Sequence, residues 1–279
     1  MVLCTGLLAA TTLMAKILGS ELHGPALHPL QITAGRFCFG LLALTPILLF
    51  IRPDFHNTRW ALHAIRTTFG WANVSLLFAA VTFLPLADAT AISFLSPVIT
   101  MLLAIPLLRE RIGPWRWSAA AIALIGGMII IRPGTSAFQP AALLALLAAV
   151  LMGVEMILIK ILTRTEPALR ILILANVIGS VIALLAASFV WQWPTATQWL
   201  FLAALGATMV SAQSLFIQSM RLADASLVTP IFYSTLVFAA VYDLILFQVL
   251  PDGPSIAGAS LIVIAALVIA WREQRNKRV

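Results

Sequence analysis

Charged side chains stand inside stretches of this chain that are otherwise apolar: Lys16, Arg36, Arg66, Glu155 and Asp243. A charge at the centre of a bilayer costs at least about 2.5 to 3.5 kcal/mol, so each such group must pair, reach the interface, or bind a ligand or ion. Arg36 follows Ile32-Thr33-Ala34-Gly35 and precedes Phe37-Cys38-Phe39. It reads as an anion site lining a cavity, or as a structural strut that snorkels to a helix end. Glu155, beside Met152-Gly153 and Met156, reads as a coupling proton site or a partner for a substrate amine, or else as half of a structural pair. Lys16 suits gating or substrate attraction, and Asp243 suits cation binding unless it reaches the interface. Lys160 is expected to anchor topology, and His63 and Arg66, near the start of their segment, to snorkel.

Polar and aromatic groups recur near the middle of the same stretches: Trp71, Asn73 and Ser75, then Ser96, Asn176, Ser211 and Gln213, and the run from Tyr233 to Thr235. Together they fit an organic ligand with an apolar body; singly, interhelical hydrogen bonding accounts for them equally well. Trp71 and Tyr233 fall outside the interfacial belt usual for their types, where a stacking wall explains them better. No HExxH, GxSxG or intramembrane carboxylate pair is present, so catalytic residues, metal and cofactor are not expected. With no GxxxxGK[ST] run there is no nucleotide-driven motor in this chain. Transport by alternating access is the leading reading, with a channel-like facilitator or an intramembrane enzyme as alternatives.

The elements that must position these groups follow from composition. With 62% hydrophobic and 10% charged residues and a mean hydropathy of +1.05, the chain has too little polar surface to cover a soluble globule. It is an all-α membrane protein. Spanning helices of roughly 20 residues are predicted over 3–20, 29–51, 60–82, 86–107, 114–131, 140–162, 168–191, 197–219, 225–248 and 254–271. Met1 leads straight into this first segment, with no basic leader. The net charge of +7 reports topology here, not nucleic acid. With both termini cytoplasmic, thirteen Lys and Arg lie in the inner loops and tail, from Arg52 to Arg278, against Arg132 alone outside. Trp191, Trp193 and Trp199 then cluster at the outer face.

The chain is also written twice. Leu86-Ala87-Asp88-Ala89 returns as Leu222-Ala223-Asp224-Ala225, and Lys16-Ile17-Leu18 as Lys160-Ile161-Leu162. Five helices per repeat is an odd number, so repeats 1–135 and 136–279, the latter with a basic tail, cross in opposite directions. Asp88 and Asp224 lie at opposite mouths, each at the start of a helix after a tight hairpin. Pro97 and Pro230 bend those helices and make them candidate gates.

These features resemble the drug/metabolite transporter superfamily and, within it, the EamA-type ten-helix permeases. The likeness spans the chain and rests on the doubled repeat, on Leu95-Ser96-Pro97-Val98 with Leu107-Leu108-Arg109-Glu110-Arg111-Ile112, and on Gly126 to Pro133. The run from Pro25 to Arg36 and the Pro251-Asp252 turn are similar to a subgroup with S-adenosylmethionine and riboflavin uptake proteins. The resemblance implies a central cavity formed by helices 1–4 and 6–9 for a small-molecule substrate, proton or ion coupling, a bacterial inner-membrane location, and a homodimer through helices 5 and 10. Phe247-Gln248-Val249-Leu250 stands where the family places a glycine-glutamate pair, so no role for that glutamate carries over.

Overall fold

A computed structural model of the protein describes residues 1–51, 55–56, 58–96, 98–100, 102–103, 114–132, 138–163, 165–222 and 234–276. Among them are ten α-helices and no strand. They are α1 (Val2–Leu18), α2 (Pro29–Ile51), α3 (Trp60–Phe83), α4 (Leu86–Ser93), α5 (Pro114–Ile131), α6 (Ala141–Leu162), α7 (Ala168–Ala187), α8 (Ala196–Leu222), α9 (Ser234–Phe247) and α10 (Gly253–Asn276), with a 3-10 turn at Glu21–His23. In hydrocarbon every backbone group must be satisfied within its own segment, which leaves helix as the option for these runs. Proline sets several starts: Pro29 and Pro114 open α2 and α5, while Pro85, Pro140 and Pro167 directly precede α4, α6 and α7. At a first turn proline gives up only a donor that has no partner anyway.

Besides α10, which runs on to Asn276 past the expected 271, two boundaries depart from the sequence expectation. The fourth helix breaks at Phe94–Leu95, where the Leu95 N–H bonds the Ile92 carbonyl at 3.0 Å, before Ile99 resumes on Leu95 at 3.1 Å. Pro97 brings no N–H to the Ser93 carbonyl, so the turn ahead of it tightens. Pro97 itself lies outside the described residues. The seventh helix ends at Ala187 instead of near 191, where the Val190 N–H turns back onto the Ala187 carbonyl at 3.0 Å. Residues 223–233, with Asp224, Pro230 and Tyr233, are also outside the described residues.

Packing is extensive between α3 and α6, α1 and α8, α2 and α8, α3 and α7, α1 and α9, α4 and α6, α2 and α7, α4 and α9, and α5 and α10. Exchanging α1–α5 for α6–α10 in order maps these pairs onto one another, whereas the packing of α3 on α1 and α2 has no comparable counterpart of α8 on α6 and α7 among the described residues. The α5–α10 crossing is backbone on backbone: a Cβ on Gly126 would stand 2.6 Å from the Gly258 carbonyl oxygen. Small residues at such crossings let membrane helices approach closely. Large apolar side chains point outward around the bundle, among them Leu42, Ile65, Leu185 and Ile245. By length and apolarity α3, α6 and most of α7 each suffice to cross a membrane.

Candidate functional site

Helix α3 turns His63, Thr67 and Gly70 to one buried face, an i, i+4, i+7 stripe that meets α6. Gly70 is required there. A Cβ on it would lie 2.6 Å from Oε1 of Glu155, so the carboxylate occupies the space of the missing side chain. One turn back, Arg66 Nη2 meets Glu155 Oε1 at 2.9 Å, with side-chain exposures of 13% and 11%. Arg36 of α2 is 8% exposed, its guanidinium 4.5 Å from the Phe37 ring centroid. Glu155 and Arg66 are both within Coulombic reach of it.

Arg66 is thus the ion-pair partner of Glu155, while Arg36 lies close enough to feel both charges without pairing with either, so two guanidiniums stand near one carboxylate. Around it, Trp71 Nε1, Thr67 Oγ1 and Arg66 Nε are buried with no hydrogen-bond partner. Trp71 packs on a small cluster of Ala34, Phe37, Ala183 and Ala187. Unmade buried hydrogen bonds cost about 1 to 3 kcal/mol each, so these three donors are expensive as they stand.

A second set of contacts ties the end of the bundle that carries Trp191, Trp193 and Trp199, whose rings lie about 6 Å apart (6.2 and 6.3 Å). Lys16 Nζ of α1 bonds Asp243 Oδ1 of α9 at 2.7 Å, while Oδ2 accepts the Ala87 N–H of α4 at 3.2 Å. Lys16 also stands 4.3 Å over the Phe247 ring. Gln31 exchanges two bonds with the Gln192 backbone, at 2.6 and 3.2 Å, and Gln198 donates to the Pro25 carbonyl at 2.8 Å. Asp88, in the first turn of α4, faces Ser255 with Arg132 and Asp252 nearby. Asp252 accepts from Arg132 and from the Ser255 N–H.

At the opposite end, Glu166 between α6 and α7 gathers the fully buried His63 at 2.8 Å, the Arg59 N–H at 3.1 Å and Arg170 at 3.9 Å. This corrects the sequence expectation for two residues. His63, buried, and Arg66, half-buried, do not snorkel but pair with carboxylates from the second half of the chain.

The loop carboxylates make this scaffold acid-sensitive. The hydrogen bond from Arg132, then those from Ser255, bring Asp252 down to about 2. Burial pushes Glu166 up, but the bonds from His63 and Arg59 and the nearby charges outweigh it and hold it below its ordinary value. A depressed folded-state pKa gives stability that is complete above the unfolded value and lost as pH falls through the folded one. Melting temperature in detergent should therefore be flat above pH about 5 and fall below about 4. Asp252→Asn and Glu166→Gln should each flatten that acid limb; an unchanged limb in both would refute the assignment.

Of the residues the sequence singled out, Arg36, Trp71 and Glu155 belong to the first cluster, and Lys16 and Asp243 pair with Asp88 close by. Asn73 is buried on α3, and Ser96 is buried with its carbonyl accepting from Thr100. Gln213 is half-buried on α8. Asn176 and Ser211 bond carbonyls of their own helices, of Leu172 and Ala207. Sequence reasoning missed Thr67, Gly70 and Glu166, although the spacing of His63, Thr67 and Gly70 carried the signal for that face.

A family model for EamA-like transporters matches this chain twice, over residues 1–132 and 139–271. The chain belongs to the EamA-like transporter family. It is a multi-pass membrane transporter of small metabolites and not an enzyme. Among its relatives is an S-adenosylmethionine uptake transporter of Rickettsia prowazekii, 26% identical over 98% of this chain and 94% of the relative. A riboflavin transporter of Rhizobium johnstonii is 33% identical over 79% and 76%, and a pseudopaline exporter of Pseudomonas aeruginosa 25% over 74% and 73%. The EamA-like fold also matches a solved crystal structure with a TM-score of 0.65 at 21% identity, covering 98% of this chain and 96% of the other.

Proposed function

We propose that the chain carries amino-acid-like, zwitterionic or anionic amphiphiles across a bacterial inner membrane by alternating access between inverted repeats 1–135 and 136–279. The observation that carries this reading is the Arg36–Arg66–Glu155 cluster with its idle donors, which offers a carboxylate two cations and Glu155 for an amine. Trp71 supplies a ring to stack on. S-adenosylmethionine and riboflavin, cargo of two relatives, share a fused nitrogen heterocycle that suits it. The pairing of helices under exchange of the halves supports the repeat. The basic loops support both termini in the cytoplasm. Lys16, Asp88 and Asp243 act as gate residues at the outer mouth, a role that favours alternating access over an open channel. Glu155 is the coupling site for a proton, and the exposed face of Leu124, Ile125 and Met128 on α5 joins α10 in a homodimer.

The test is uptake of labelled S-adenosylmethionine and riboflavin into proteoliposomes. Saturable uptake of S-adenosylmethionine, held by its zwitterionic amino-acid end, is expected, reduced about a hundredfold by Arg36→Ala, the loss of about 2.7 kcal/mol of binding, and partly restored by Arg36→Lys. Flux of riboflavin alone, indifferent to Arg36→Ala, would overturn the carboxylate reading; no flux of either would overturn both.

A further inference from the structure

Helices α9 and α10 are consecutive, yet α10 packs on α5 while α9 packs on α1 and α4. Between them runs an open slot of about 800 Å³ walled by Val237, Val241, Leu244, Ile256 and Ile264. Val237 and Ile256 are 64% and 56% exposed, so the slot faces the surroundings of the bundle and not its centre. At one end it joins a second, polar pocket of about 300 Å³, the two sharing Asp88, Leu250, Pro251 and Ser255. Arg132 and Asp252 line that polar end.

The dimensions and the charges identify an occupant. From Gly253 to Ile264 the α10 wall rises about 17 Å at 1.5 Å per residue, roughly half of a 30 Å hydrocarbon core. An apolar slot one leaflet deep, opening sideways and capped by charge at its interfacial end, has the shape of one acyl chain under one headgroup. The cap holds one guanidinium, on Arg132, and two carboxylates, on Asp88 and Asp252, and Arg132 is already bonded to Asp252. A purely anionic headgroup meets more negative than positive charge there. A headgroup with both a phosphate and a primary ammonium matches it, the phosphate towards Arg132 and the ammonium towards Asp88.

We infer that the α9–α10 slot is a binding site for an amine-bearing zwitterionic phospholipid of the ethanolamine type, its tail between the helices and its headgroup on Arg132 and Asp88. Its position gives it leverage. Asp88 follows Ala87, whose N–H is held by Asp243, so a lipid drawing on Asp88 braces α4 against α9 beside the Lys16 tether. The inference stands on the slot and its cap and does not depend on which metabolite is carried.

Native mass spectrometry of the full-length protein tests it, with palmitoyl-oleoyl phosphatidylethanolamine and phosphatidylglycerol added in turn. One ethanolamine lipid per chain is expected to persist, retained about tenfold more than the glycerol lipid, a difference of about 1.4 kcal/mol. Val241→Trp and, from the opposite wall, Ile256→Trp should remove that bound lipid. Val181→Trp, on an exposed position of α7, should not. Asp88→Asn should retain a lipid and lose the headgroup preference. Equal retention of the two lipids by the unmodified protein would overturn the headgroup assignment. Retention unchanged by whichever slot-filling variant melts normally would overturn the site. A dimer that these tryptophans dissociate would show that a second copy of the chain fills the slot instead.

Discussion

Glu155→Ala should destabilise the protein by about 3 to 5 kcal/mol, the usual cost of stripping one partner from a buried ion pair. The reason lies in what remains. Arg66 would lose its ion-pair partner, and Arg36 and Arg66, within Coulombic reach of each other, would lose the carboxylate that offsets them. Gly70→Leu should reproduce most of that loss without touching a charge, because its side chain takes the space in which the carboxylate sits. The paired change Arg66→Leu with Glu155→Leu should recover much of the stability, since well-packed apolar replacements of buried pairs are often neutral. It should still abolish uptake. Unfolding by a denaturing detergent, read beside transport, separates these cases. A Glu155→Ala protein as stable as its parent would show that Arg36 and Arg66 are solvated and would remove the basis for an anion site.

The second large effect is expected at the other tether. Asp243 is 1% exposed and accepts from Lys16 and from the Ala87 N–H. Asp243→Ala leaves a lysine ammonium and a backbone donor unsatisfied at once, at a cost of about 3 kcal/mol. Its separate signature is access. A cysteine at Thr90, one turn below Ala87, in a chain with Cys4 and Cys38 changed to alanine, should react slowly with a membrane-impermeant maleimide added at the tryptophan end. Asp243→Ala should raise that rate about tenfold, and Lys16→Met combined with Asp243→Leu should raise it less, because no charge is stranded. An unchanged rate in Asp243→Ala would mean that the Gln31–Gln192 and Gln198–Pro25 contacts close this end without help.

The helices were legible because hydropathy and backbone satisfaction are one-dimensional problems. Runs such as 141–162 have no other structure open to them in hydrocarbon. The segment ends were less legible: α7 closes at Ala187 with the Val190 N–H on the Ala187 carbonyl, and the break in α4 falls at Phe94–Leu95, ahead of Pro97. Charges were legible as costly, not as paired. Glu155 and Asp243 were visible as carboxylates needing partners, but Arg66 is 89 positions from one and Lys16 is 227 from the other, and no local pattern states which cation meets which. Arg66 looked like an interfacial residue because its depth along α3 was read without its azimuth. Gly70 carried no charge to draw notice, yet its absent side chain makes the pair possible.

The contacts at the tryptophan end carry a thermodynamic cost for a solute that arrives from that side. A solute arriving from that side meets Lys16–Asp243, Gln31–Gln192 and Gln198–Pro25 all made, and the work of separating them is subtracted from whatever its own contacts release. Its apparent affinity from that side is its intrinsic affinity reduced by the fraction of molecules in which those links are already open. The relation between the two halves is thus not an energetic equality. Lys16 meets Asp243 at this end, whereas at the opposite end Glu166 gathers His63 and the Arg59 N–H. The half-saturation concentrations measured from the two faces of the membrane should differ, and the size of that difference weighs the tether directly.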